Sequence, residues 1–333
     1  MNDQRSLLGE TAERALSAMK GDGFVADWRT IDDIGLSSVL IPEEKGGFGG
    51  DWNDLFVIAK IAGRHAVSLP IAESIVAKRL AQNVETANVG AWSVATVIHG
   101  SFDGIRFTGT VGAVPWGREA TQIVALLDNA ILGLDRETAT QIEARENIAD
   151  EPRDSLHFER APARSATLDG WTGARLFRTM ALVRAAQIAG ALDAALSLAV
   201  QYTRERNQFG RPLAAFQAIQ QQLAVLAEEA AAAHMAAAAG FQAMLRGDAA
   251  FESAAAKLRA NQAAGVGASI AHQVHGAMGF TQEYPLQKFT RRLWAWRSEY
   301  GNERQWAAQI GARVAKRGAD NFWPDVVRAA QNI

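Results

Sequence analysis

The chain has 333 residues, 48% hydrophobic and 21% charged, which is too long for one ordinary core and suits two or three domains. A net charge of −2 and a pI near 6.3 exclude the basic face of a nucleic-acid binder, and the absence of cysteine excludes disulfides, thiolate metal sites and a cysteine nucleophile. No apolar core follows a positively charged start, and no run of about 18 apolar residues occurs, so neither a signal peptide nor a membrane span is expected and the location is expected to be cytoplasmic.

Three zones follow one another. In the first, residues 1–88, Leu7, Leu8, Ala12, Ala15, Leu16 and Met19 recur at helical spacing. A short helix is expected over Trp28–Ser38, then a loop, Ile41-Pro42-Glu43-Glu44-Lys45-Gly46-Gly47-Phe48-Gly49-Gly50, punctuated by glycine. Helices are expected over Trp52–Gly63 and after Pro70, since proline suits a first helical turn. The second zone, residues 89–168, reads as a small antiparallel β domain. Val94, Thr96 and Ile98 alternate, as do Ile105 and Phe107; Gln122–Leu127, Ala130–Leu134 and Ser155–Phe158 are strand candidates, with Asp128-Asn129 as a turn. The third zone, residues 169–333, is alanine-rich and helical. Leu176–Arg204, Leu213–Arg246, Asp248–Met278 and Pro285–Lys316 predict a four-helix bundle, with Asp248 as an N-cap and Ala224, Ala227, Ala231 and Ala255 allowing close helix approach. The fold class is α+β.

Several motifs in this order resemble the acyl-CoA dehydrogenases. The N-terminal ones are Trp28, Ile34-Gly35-Leu36, the loop from Ile41 to Gly50, Gly63-Arg64 and Pro70-Ile71-Ala72-Glu73. In the bundle, the run from Arg204 to Leu213 continues to Phe216-Gln217-Ala218-Ile219-Gln220, and Gln273-Val274-His275-Gly276-Ala277-Met278-Gly279-Phe280 precedes Glu283-Tyr284-Pro285-Leu286. Each motif alone has a plain structural reading, as loop, solvated arginine or core phenylalanine. The ordered set across three zones does not.

The resemblance implies FAD as cofactor and α,β-dehydrogenation of an acyl-CoA thioester, with an electron-transfer flavoprotein or similar acceptor. A pyrophosphate needs cationic or amide donors and the rings need apolar cover. Arg206 supplies a fork of donors, Gln208 and Gln217 supply neutral hydrogen bonds, Phe209 and Phe216 supply walls, and Gln273, Val274, His275 and Gly276 bring backbone toward the cofactor. In the family such segments reach the FAD held by a neighbouring subunit, so the resemblance implies a half-site lent to a partner.

The family's base is a glutamate at one of two positions. Here the first falls on Tyr300, followed by Gly301, with Glu299 one residue earlier; the second falls on Met180. If the segment is helical, Glu299 points about 100° away from the base position. A second departure concerns the Thr-Glu-Pro-type segment that packs on a subunit's own flavin. Residues 89–168 contain none, and Val114-Pro115-Trp116-Gly117 is not similar. The chain therefore resembles the smaller, base-lacking subunit of heteromeric dehydrogenases of the steroid side-chain type, which implies a heterotetramer with a larger subunit. Two other readings stay open: a self-sufficient homo-oligomer using Glu299, and a scaffold that kept the fold without the chemistry. His272 and His275 lack a carboxylate that would complete a metal set and read as structural.

Overall fold

The computed structural model describes residues 2–19, 21, 23–84, 90–247 and 249–330. The chain packs as two compact units, Met1–Ile58 with Ser68–Phe177, and Ala59–Val67 with Arg178–Ile333.

In the first unit, α1 (Asn2–Ser17) and α2 (Phe24–Asp33) precede the glycine-rich loop. The helix expected over Trp28–Ser38 stops earlier, because Gly35 takes a left-handed φ of 68° and the chain restarts as a single 3₁₀ turn, Leu36–Ser38. The loop folds back on itself: Gly49 N–H donates to Ile41 O and Gly50 N–H to Val39 O, both at 2.8 Å. A Cβ on Gly50 would stand 2.8 Å from Val39 O, so only glycine lets the strands of this loop touch. Phe48, Leu36, Val39, Leu7 and Leu8 then line a cavity of about 350 Å³, closed at its polar end by Arg5, which pairs with Asp51 and Asp54 at 2.8 Å each. Asp51 also accepts from Asn53 N–H at the start of α3 (Trp52–Arg64). After Pro70, α4 (Ile71–Leu80) lies against the sheet, where Ser74 Oγ accepts from Trp92 N–H and donates to Trp92 O.

The sheet comprises β1 (Trp92–Phe102), β2 (Arg106–Pro115), β3 (Gln122–Leu127), β4 (Ala130–Asp135), β5 (Gln141–Glu143) and β6 (Arg153–Thr167), in the order β2-β1-β3-β4-β6-β5, with β2 also pairing β6. The small antiparallel domain needs one correction: β1 and β3 pair in parallel. The chain leaves β2 through Trp116–Ala120 and returns on the far edge of β1, so β3 runs the same way as β1. Asp128 carries the β3–β4 turn at φ 51°. Phe107, Val111, Ile123, Leu132, Leu134 and Leu156 form the core.

The second unit is built on α5 (Gly173–Glu205), α6 (Gln217–Met244), α7 (Ala250–His275), α8 (Leu286–Ser298) and α9 (Glu303–Arg317), followed by α10 (Phe322–Ala330). Among the described residues α5 alone is long and apolar enough to span a membrane, but 72% of its most apolar stretch is buried. Three expected helices change. The one expected from Leu213 starts at Gln217, because Phe216 is extended and Pro212 ends a two-residue hairpin of β7 (Asn207–Gln208) and β8 (Arg211–Pro212). The one expected over Asp248–Met278 ends at His275, where Gly276 turns to φ 57°; the expected N-cap, Asp248, lies outside the described residues. The one expected over Pro285–Lys316 is two helices.

Glycines set the closest approaches. A Cβ on Gly267 would strike Leu192, and a Cβ on Gly240 would strike Leu182. In the part of α3 that belongs to this unit, Gly63 faces the Gln187 backbone, while Gly190 faces Lys60 O, and neither leaves room for a methyl. Gly190→Ala forces backbone apart, and the variant is expected to lose about 2–3 kcal/mol of unfolding free energy in a denaturant titration. An unchanged midpoint would show that these backbones do not meet.

Candidate functional site

Two places on the second unit gather polar side chains that the bundle does not need for packing alone. The first is the break between α8 and α9. Glu299 has φ −70° and ψ 140°, Tyr300 φ 52° and Gly301 φ 97°, so neither Glu299 nor Tyr300 is helical and the expected 100° offset between them does not apply. Asn302 opens α9 with a capping box, accepting from Gln305 N–H while the Gln305 side chain accepts from Asn302 N–H. Gly301 is obligatory: a Cβ there would enter the indole of Trp306.

The break is held by buried charge. Lys257, fully buried on α7, donates to Trp296 O, Arg297 O, Gly301 O and Asn261 Oδ1 at 2.6–3.2 Å. It thereby brings a donor to the orphan carbonyls at the C-terminus of α8. Trp306 Nε1 donates to Tyr300 O at 3.1 Å. Arg184, fully buried on α5, donates from Nε to Glu299 at 2.7 Å and from Nη1 to Gln187 Oε1 at 2.6 Å, and its guanidinium stands 5.5 Å from the Tyr300 ring. Met180, 1% exposed, lies one turn before Arg184 on the same face of α5. At this level the two positions expected for a base carry a thioether and a phenol, and the carboxylate of Glu299 beside them is tied to a buried guanidinium.

The second place is the other end of the bundle, where α5 ends, α6 begins, α7 ends and α8 begins. The β7–β8 hairpin turns through Phe209 (φ 52°) and Gly210 (φ 78°), which lifts Phe209 to 91% exposure. Its ring meets Phe216 edge-on at 6.2 Å, and Arg211 covers the other ring at 4.1 Å. Arg206, Gln208 and Gln217 are exposed beside it; Glu205, next to Arg206 in sequence, accepts from Gln201 at 3.0 Å. Gln273 and Gly276 are exposed on the α7 side, whereas Val274 and His275 are buried. The side chains of Val274 and His275 face inward, so what these two can offer a ligand is backbone.

This donor set fits a cofactor with phosphates and flat rings: an exposed guanidinium, two exposed carboxamides, an exposed phenylalanine, and a glycine at φ 57° and ψ −141° with open space where a Cβ would stand. The sequence singles out these residues as candidates but did not point to Arg184, Lys257 and Asn261. The signal available was a charge inside an apolar run, as in Leu182-Val183-Arg184-Ala185 and Ala254-Ala255-Ala256-Lys257.

The family model for the acyl-CoA dehydrogenase C-terminal domain matches residues 169–315. The acyl-CoA dehydrogenase IpdE2 of Mycolicibacterium smegmatis is 26% identical over 332 residues, covering 94% of this chain and all of that protein. The chain is similar to acyl-CoA dehydrogenases over nearly its whole length, and residues 169–315 carry the match to the family's C-terminal domain. Solved acyl-CoA dehydrogenase structures carry the same fold. The ChsE4–ChsE5 complex of Mycobacterium tuberculosis superposes with a TM-score of 0.81 at 21% identity over 96% of this chain and 98% of that one. A variant of the Tcur3481–Tcur3483 steroid ACAD gives 0.82 at 21% over 95% and 98%.

Burial pushes the Lys257 ammonium down to about 7, against the pull of Glu299 in the other direction. The unfolded lysine titrates near 10.5, so between pH 7 and 10.5 the unfolded chain holds the extra proton and stability rises with pH. The stability of the wild type relative to Lys257→Met is therefore expected to grow by up to about 1.4 kcal/mol per pH unit across that window. Urea titrations of both proteins at pH 7, 8.5 and 10 measure it; a constant difference would mean an unshifted lysine.

Proposed function

We propose that this chain is the base-lacking subunit of an FAD-dependent acyl-CoA dehydrogenase, and that it contributes half of a shared FAD site to a larger, catalytic subunit. The observation that carries the reading is the level of Met180 and Tyr300. Neither side chain takes a proton at neutral pH as a carboxylate does, and Glu299 sits in an ion pair with Arg184. A base must lie free within hydrogen-bond reach of the proton it removes, and removing the Arg184 contact would strand a buried guanidinium.

FAD, when bound, accepts the β-hydride of the acyl-CoA thioester. The work of this chain is to bind and orient: Arg206 would meet a phosphate oxygen, Gln208 and Gln217 would add amide donors, and Phe209 and Phe216 would keep water from the rings. Likeness to a two-component complex and to a steroid ACAD pair supports a larger partner and a bulky acyl-CoA substrate. A cytoplasmic location and delivery of electrons to an electron-transfer flavoprotein or similar acceptor belong to the same reading.

Two measurements test it. The chain purified with a larger dehydrogenase subunit should hold FAD and oxidise an acyl-CoA, while the chain alone should do neither. Glu299→Gln, assembled with the partner, should keep turnover within about threefold of wild type, whereas loss of an essential general base typically costs 100-fold or more. Yellow, active protein from this chain alone, silenced by Glu299→Gln, would instead establish the homo-oligomer.

A further inference from the structure

The turn from Gly276 to Pro285 joins α7 to α8 and carries the exposed Gly276 at its start. It is pinned at two points by histidines one turn apart on α7. His275 is 2% exposed, and its Nδ1 stands 2.7 Å from Ala271 O. A carbonyl only accepts, so Nδ1 carries the proton and Nε2 is left as an acceptor, 3.1 Å from the Tyr284 hydroxyl that donates to it. Tyr202 of α5 closes the other side, its ring 4.7 Å from His275 and 6.1 Å from Tyr284. His272 holds the middle of the turn. Its ring stacks on Phe280 at 4.3 Å and 19°, and its Nε2 stands 2.9 Å from Thr290 Oγ1 on α8. Gly279 packs closely against both histidines: a Cβ there would be 3.1 Å from His275 Cβ and 3.2 Å from His272 Nδ1, so a neighbour would have to give way by a few tenths of an ångström.

Packing alone does not account for this arrangement. Phe280 is 71% exposed, so its stack on His272 buries little apolar area. What the contacts do fix is the backbone path that leaves His275 through a glycine-only conformation. We infer that His272, His275 and Tyr284 are positioning residues: by clamping the turn they hold the Gly276 backbone in the form that meets the partner's cofactor. The inference rests on the half-site reading above and adds that the half-site is preorganised by this chain before any partner arrives. An ordered turn spares the complex the entropy of fixing it on binding.

Burial holds both imidazoles neutral, pushing each below the usual histidine range. Protonation of His275 would remove the acceptor that Tyr284 uses.

The test uses the complex isolated through a tag on this chain and titrated with FAD, read by flavin fluorescence. Three variants are compared with wild type. Tyr284→Phe keeps the ring and removes the donor, Phe280→Leu removes the stack at an exposed site, and Arg206→Ala removes a direct phosphate donor. Loss of one orienting hydrogen bond is expected to weaken FAD binding roughly fivefold in Tyr284→Phe. Phe280→Leu should weaken it as well, with its thermal midpoint unchanged, which a merely structural role would not produce. Hydrogen exchange at residues 276–281 of the chain without FAD should quicken in both. If Arg206→Ala weakens FAD binding while Tyr284→Phe and Phe280→Leu bind as wild type, the clamp is overturned and the half-site stands. If Arg206→Ala also binds as wild type, the half-site fails and the clamp falls with it.

Discussion

The geometry of the second unit depends on one buried amine. Lys257 reaches across from α7 and satisfies the last carbonyls of α8 together with Gly301 O. A helix that ends inside a protein leaves carbonyls without partners, each costly to bury. Here a single side chain answers two of them and Gly301 O, to which Asn261 adds a second donor. Because those carbonyls come from both sides of the break, the amine also fixes the angle at which α9 departs. Trp306 then packs against Ala181 and Ala254, and the link between the helices has no freedom left. The backbone around Tyr300 is thus held by groups on α5, α7 and α9, and its ring packs beside Arg184 and Trp306.

That arrangement leaves the fold indifferent to whether position 300 or position 180 carries an acid. The phenol at 300 is clamped through its carbonyl, and the charge at the neighbouring position is matched by Arg184. Nothing in the packing calls for an acid at 300 or at 180, where Met180 fills a buried site on α5. The donors at the opposite end of the bundle are a separate matter. From Arg184 to Tyr202 is 18 residues of helix, roughly 27 Å at 1.5 Å each. The end that offers Arg206, Gln208 and Phe209 and the level where a base would stand are different places on the molecule, and losing one leaves the other intact.

Much of this was legible in the sequence, and the reasons are local. A short apolar run gave β3 to the residue, since Gln122–Leu127 is bounded by a turn with Asp128 at positive φ. The glycine loop and Pro70 gave the starts of α3 and α4. The hairpin at 207–212 was not visible, because two-residue strands have no period. The parallel pairing of β1 and β3 was hidden for a related reason: a strand's direction depends on where the chain re-enters the sheet, not on its own residues. The break at 299–302 was missed because apolar spacing runs on through Trp306 and Ile310, as it would in one helix. Gly301 and the capping pair Asn302 and Gln305 were the signs of it. Among the cofactor candidates, exposure separates Arg206, Gln208, Phe209 and Gln273 from Val274 and His275, a distinction periodicity alone did not make.

The glycines bring these observations together. Gly63 and Gly190 allow backbone contact, Gly301 makes room for an indole, and Gly276 takes a conformation closed to other residues. Each is required by backbone geometry, so each resists substitution whatever the chain does chemically. Side chains such as that at 300 are under no such constraint. An identity of 26% with a full-length relative is then compatible with a common fold, because the positions that specify the backbone are few and the rest are free to change with function. On this argument the turn at 276–285 is informative. Beside its two glycines stand a tyrosine and two histidines of α7 whose contacts tie the turn to α7 and α8, and a surface turn has use for such rigidity when something must bind there.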